Sequence, residues 1–82
     1  MYLAKVHVSL KPTVNDPQGL TILGALHSLG FSSAREVRAG KYLEVRLDVE
    51  TREEAEAQVE GMCRKLLANP VIESYSFEVV EG

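Results

Sequence analysis

Apolar and polar residues alternate from the first residues of the chain. Tyr2, Ala4, Val6, Val8 and Leu10 interleave with Leu3, Lys5, His7, Ser9 and Lys11. That is the period of two expected of a strand with one buried face. Pro12 ends the run, because proline has no N–H to give to a ladder. The period then changes. Asp16 can accept a bond from an orphan backbone N–H, and Pro17 suits the first helical position. Leu20, Ile22, Leu23, Leu26 and Leu29 follow at helical spacing, and Gly30 falls where a left-handed cap is wanted. Two glycines interrupt this helix, Gly19 and Gly24, each costing about 1 kcal/mol relative to alanine. Gly19 projects onto the apolar arc, where close approach to the sheet accounts for it. Gly24 projects to the far side, and nothing in the sequence explains it.

Residues 34–50 return to period two, with Leu43, Val45, Leu47 and Val49 alternating with Tyr42, Glu44, Arg46 and Asp48. Gly40 divides the segment. It marks either a tight hairpin or a bulge that bends one long strand. Thr51-Arg52-Glu53-Glu54 is a capping box, and Ala55, Val59, Met62, Cys63 and Leu66 form one apolar stripe behind it. Glutamates crowd the first turn and Arg64 and Lys65 the last, which suits the helix dipole. Asn69-Pro70 stops this helix, and a final strand is expected to bury Tyr75, Phe77 and Val79.

The order strand, helix, strand, strand, helix, strand is that of a split β-α-β-β-α-β, ferredoxin-like fold of the α+β class. Both helices are expected on one face of an antiparallel sheet. The other face is expected to carry Lys5, His7, Tyr42, Glu44, Arg46 and Glu78. The predicted core is Val6, Val8, Leu26, Leu43, Val45, Val59, Leu66 and Phe77. With 82 residues and no linker, repeat or low-complexity stretch, residues 1–82 read as one domain.

A domain this short leaves much of its surface exposed, so self-association is a natural source of added stability. Hydrophobic residues make up 45% and charged residues 26%, a globular balance. The net charge of -3, with no basic block, argues against nucleic acid. No apolar run is long enough to span a membrane, and Met1–Lys5 lacks the apolar core of a signal peptide. With Cys63 as the single cysteine, no internal disulfide is possible, and a cytoplasmic location is expected.

Candidate chemistry is sparse. His7 stands on the open sheet face beside Lys5 and Ser9 with no partner that sequence can supply, and reads as a solvated or interface histidine. His27 reads as a packed boundary residue of the first helix, and Cys63 as a buried inert thiol. No second cysteine or histidine pair has metal-ligand spacing, and the glycines follow no phosphate-loop pattern. Asp48 and Glu50 read as solvated acids at a strand end. Arg35, Arg38 and Lys41 form a basic cluster near Gly40, either a solvated edge or a docking patch for a partner. Composition and spacing therefore point to an assembly module or a ligand-sensing module.

Three stretches carry a more specific resemblance. They are Val8-Ser9-Leu10-Lys11-Pro12 with Asp16-Pro17-Gln18-Gly19; Ala25-Leu26-His27-Ser28-Leu29-Gly30-Phe31 continuing to Val37-Arg38 and Gly40-Lys41; and Leu67-Ala68-Asn69-Pro70-Val71-Ile72-Glu73-Ser74-Tyr75. In this order, over nearly the full length, they resemble the PurS family. Asn15 departs from the pattern, in which an apolar residue more often precedes Asp-Pro.

The resemblance implies a small non-catalytic subunit of phosphoribosylformylglycinamidine (FGAM) synthase, in purine biosynthesis. It implies that the chain pairs with itself, as a dimer or tetramer, and joins a glutaminase subunit, PurQ, to a synthetase subunit, PurL. In that family PurQ releases ammonia from glutamine, and PurL uses ATP to activate the substrate amide and accepts the ammonia. The resemblance implies no catalytic, cofactor or metal-binding residue in this chain; ATP and glutamine belong to the partners. Arg35, Arg38 and Lys41 remain possible docking residues. Asp16 and Gln18 join them, since Asp16–Gly19 can serve as a rigid surface loop as well as a helix cap. The alternative is a small-molecule sensor resembling the ACT domain. Such a module sits beside an enzyme domain, whereas this sequence is expected to be a lone domain with complete ends.

Overall fold

The structure is a computed structural model that describes residues 1–82. Three strands form its sheet: β1 (Tyr2–Leu10), β2 (Gly40–Leu47) and β3 (Glu73–Glu81). Two helices accompany them, α1 (Pro17–Ser28) and α2 (Arg52–Met62). β1 lies between β2 and β3 and pairs antiparallel with both. Its register sets Val6 opposite Leu43 and Phe77, and His7 opposite Tyr42 and Ser76. The alternation read from the sequence therefore sorts side chains as expected. Ala4, Val6 and Val8 are buried with Leu47 and Val79 on one face, while Lys5 lies between Glu44 and Glu78 on the other.

The fold class is the expected α+β, ferredoxin-like one, and the element between α1 and β2 defines its detail. Residues 34–39 have no regular secondary structure and join no strand of this sheet, so three strands form where the alternation predicts four. There is no hairpin at Gly40, which begins β2 opposite Ser9. A Cβ at Gly40 would lie 2.5 Å from the Val8 carbonyl oxygen, so the glycine permits close backbone pairing.

Both helix starts follow their sequence signals. Asp16 accepts the Gly19 N–H at 3.0 Å, and Thr51 Oγ1 accepts the Glu54 N–H at 3.2 Å. α1 ends in a Schellman motif: Gly30 has φ 98°, its N–H reaches the His27 carbonyl, and the Phe31 N–H reaches that of Leu26.

α2 packs Ala55 and Val59 onto β1 and β3, completing the core with Cys63 and Ala68. Here two expectations are corrected. Leu66 is 82% exposed rather than buried. Beyond Met62 the helix widens into a π-helical turn, Cys63–Leu67, closed by the Ala68 N–H on the Cys63 carbonyl at 3.0 Å. The wider turn slips the apolar register by one residue, so Leu67 and Ala68 take the inward positions that an α-helix would give Leu66. The second correction concerns α1. It stands off the sheet, and Leu26 is only half-buried. Its first turn is fixed instead to residues 37–39, where a Cβ on Gly19 would collide with the Val37 carbonyl oxygen. Gly19 thus permits close approach to that segment, not to the sheet. Leu43, Val45 and Phe77 are also half-buried, and the first two stand on β2, away from the strands that α2 packs on.

Candidate functional site

Four of the five expected docking residues, Asp16, Gln18, Arg38 and Lys41, fall at one end of the sheet, where three connecting segments meet. Asp16 ties them together. It is 5% exposed, and besides capping α1 it accepts the Ala39 N–H at 2.7 Å. That bond first, then the one from Gly19, holds its carboxyl below the usual carboxylate range, and the nearby Arg38 charge adds to the effect. Arg38 donates to the carbonyls of Lys11 at 3.0 Å and Val14 at 2.9 Å. Asp16 and Arg38 therefore hold residues 11–16 against residues 37–39, each doing a structural job.

Gln18 and Lys41 are exposed. They line a shallow cleft of about 230 Å³ together with Asp16 and Glu73. A neighbouring cleft of about 360 Å³ is lined by Lys41, Arg38, Ser9, His7 and Tyr42. Lys41 thus borders both clefts and is exposed. Arg35 is exposed and lines neither cleft. The structure brings four of the five residues together and leaves Arg35 apart.

Other polar side chains are committed to the fold. The His7 and Tyr42 rings lie 4.8 Å apart, and the Tyr42 hydroxyl donates to Glu44 at 2.9 Å. Burial first, and then that carboxylate, raise the Tyr42 pKa. His27 is exposed rather than packed, and its Nε2 donates to the Ala34 carbonyl at 2.8 Å. Cys63 is buried, and loss of solvent pushes its thiol pKa up, with the Glu60 charge adding to the effect. Glu60 also accepts from the Tyr75 hydroxyl at 2.8 Å and from Arg64 Nε at 3.1 Å, linking α2 to β3. The four-residue spacing of Glu60 and Arg64 announces part of this network. Nothing in the sequence announces the part played by Tyr75, nor that Glu73 borders the cleft at Lys41.

A groove of about 620 Å³ runs along the helix-bearing face beside α2, bordered by Val45, Met62, Lys65, Leu66 and Leu67. No helix of the structure is long and apolar enough to cross a membrane.

Comparison with known proteins gives a consistent answer over the whole length. The model of the PurS family, described as phosphoribosylformylglycinamidine (FGAM) synthase, matches residues 3–81. The chain is 48% identical over 81 residues to the phosphoribosylformylglycinamidine synthase subunit PurS of Bacillus subtilis, spanning 99% of this chain and 95% of that protein. The crystal structure of Methanocaldococcus jannaschii PurS superposes with a TM-score of 0.89 at 43% identity, covering 100% of this chain and 99% of that one. A chain of the PurLQS structure from Thermotoga maritima superposes with a TM-score of 0.86 at 28% identity, covering 98% and 99%.

Proposed function

The chain belongs to the PurS family, and from that premise we propose that it is the small subunit of an FGAM synthase, bridging its glutaminase and synthetase subunits. The match to PurS proteins from end to end carries this reading. The likeness to a chain of the T. maritima PurLQS structure supports the choice of partners, PurL and PurQ. The ACT-like alternative gives way to that full-length match.

In this reading the chain supplies no reacting group and holds no cofactor. ATP and glutamine are bound and consumed by the partners in the cytoplasm, and the chain acts as a self-associated subunit. Its contribution is geometric. Ammonia released at one active site reaches another without escaping only if the two sites are held in a fixed relation. The end of the sheet bearing Lys41 and Gln18 is the proposed contact with the larger subunits. Its scaffold is rigid because Asp16 and Arg38 anchor the segments that carry it, so little conformational freedom is lost on docking.

Reconstitution tests the bridging role. The purified chain is added to the synthetase and glutaminase subunits, and synthesis is measured with glutamine and then with concentrated ammonia as nitrogen donor. The expected result is a strong requirement for the chain with glutamine and a weak one with ammonia. Equal glutamine-driven rates with and without the chain would refute it.

A further inference from the structure

We propose that the cleft at the start of β2 binds a nucleoside monophosphate, with the base against the His7–Tyr42 ring pair and the phosphate within reach of Arg38 and Lys41. This goes beyond the bridging role and assigns the chain a small-molecule ligand of its own.

One wall of the cleft is aromatic. The register sets His7 opposite Tyr42 and Ser9 opposite Gly40, so these positions share the sheet face that carries no helix. The two rings lie 4.8 Å apart and are tilted by 42°. Tyr42 is 49% exposed, yet its hydroxyl is held by Glu44 at 2.9 Å, further along β2 from the cleft. A ring fixed at its tip and open on its face loses little freedom when a planar group packs on it.

The other wall is cationic. Arg38 is already ordered by the carbonyls of Lys11 and Val14, and both bonds leave from Nη2, so its Nη1 and Nε groups are unspent. Lys41 is exposed and belongs to no ion pair; the one ion pair of the structure joins Glu60 to Arg64. No aspartate or glutamate lines the cleft, although the chain carries 12 acidic residues against 9 basic ones. Two cations gathered without a carboxylate in a net acidic protein favour an anion, and a planar guanidinium beside an ammonium suits phosphate.

The space between the walls has the right size. Gly40 has no side chain, so backbone forms the floor there, and Ser9 opposite it offers a hydroxyl to a sugar. Arg38 and Tyr42 are four residues apart, at most about 14 Å of chain. A ring joined to a phosphate through a sugar spans such a distance, whereas free phosphate does not. The volume of about 360 Å³ lies within the range of small-molecule sites. The adjoining cleft of about 230 Å³ makes the contrast: it shares Lys41 but is bordered by Asp16 and Glu73 and has no aromatic ring.

Amide NMR spectra of the full-length chain, titrated separately with AMP, adenosine and ribose 5-phosphate, test the site. The larger subunits are left out, so failure here is distinct from failure of the bridging role. The expected result is a saturable shift of the Ser9, Gly40 and Lys41 amides with AMP, and binding about tenfold weaker or worse for the other two compounds, each of which lacks one of the two contacts. No shift at millimolar AMP, or shifts centred elsewhere on the surface, would overturn the proposal. Ribose 5-phosphate binding as well as AMP would remove the role of the rings, and adenosine binding as well as AMP that of the cations; either would sink it. Lys41→Gln and Tyr42→Leu, both at exposed positions, should each weaken AMP binding about tenfold, and parental affinity in either would count against it. The ligand comparison on the parent chain decides the matter on its own where a variant folds poorly.

Discussion

Alanine at Gly19 and alanine at Gly24 should move stability in opposite directions, although both replace a glycine within the same helix. In an isolated helix each change is favourable by about 1 kcal/mol. A Cβ at Gly24 meets nothing within 4 Å, so Gly24→Ala should keep roughly 0.5–1 kcal/mol of that gain. A Cβ at Gly19 falls far inside contact distance of the Val37 carbonyl oxygen and 2.8 Å from Asp16 Oδ2. Val37 offers backbone there, not the end of a flexible side chain. Relief therefore requires residues 37–39 to move, stretching the 2.7 Å bond from the Ala39 N–H to Asp16. Overpacking of this kind costs about 1–3 kcal/mol, occasionally more. Because the obstacle is backbone, the cost falls in the upper part of that range, about 2–3 kcal/mol, and with a propensity gain of about 1 kcal/mol offsetting it Gly19→Ala should come out destabilised by roughly 1–2 kcal/mol. Urea unfolding at one fixed, high protein concentration is the appropriate assay, since association contributes to apparent stability. The two variants should differ by about 1.5–3 kcal/mol, or roughly 6 °C or more in melting temperature for a domain of this size. A Gly19→Ala protein as stable as the parent would show that the 37–39 segment yields freely, and the rigid-anchor reading would fail with it.

Three further outcomes follow from the same end of the sheet and from the core. Asp16 titrates below its usual 3.8, so the unfolded chain takes up the proton first; its contribution is full above about pH 4 and is lost as pH falls through the folded-state value. Asp16→Asn should therefore lose stability at neutral pH and converge on the parent in acid, and a constant gap down to pH 2 would contradict this. Cys63 should resist a thiol-directed disulfide reagent in the native protein and react once urea is added; prompt stoichiometric labelling of the native chain would show that the thiol is accessible. Lys41→Glu should leave stability within about 0.5 kcal/mol, as exposed substitutions do, yet weaken assembly with the larger subunits most at low salt; Arg38→Glu should instead destabilise the chain itself by freeing the Lys11 and Val14 carbonyls, and the reverse ranking would exchange their roles.

The alternation in β1 was enough to place Ala4, Val6 and Val8 in the core and His7 outside it, because period two leaves only two choices of face. The caps at Asp16, Thr51 and Gly30 were readable for a similar reason, since each residue satisfies a local backbone need within a few positions. Leu66 was misplaced because helical spacing assumes 3.6 residues per turn, and nothing in Cys63–Leu67 marks the wider turn. The apolar stripe of α1 was visible, but a stripe reports what must be covered and not what covers it. Of the docking residues, the basic cluster could be seen in the sequence. The commitment of Arg38 to two carbonyls on a distant segment could not, because such contacts are set by the tertiary path of the chain.

The order β2-β1-β3 has a consequence for the life of the chain on the ribosome. β1 is the first strand to be synthesised, and its outer partner β3 is the last. Tyr2 pairs with Glu81, so the sheet cannot close until residue 81 has been made. Until then the nascent chain holds at most the β1–β2 pair, with one side of β1 an open edge. Such non-local pairing slows folding, since a long loop must close before its contacts repay the lost entropy. A truncated chain lacking Glu73–Glu81 should accordingly be a target for aggregation or proteolysis rather than a smaller folded domain.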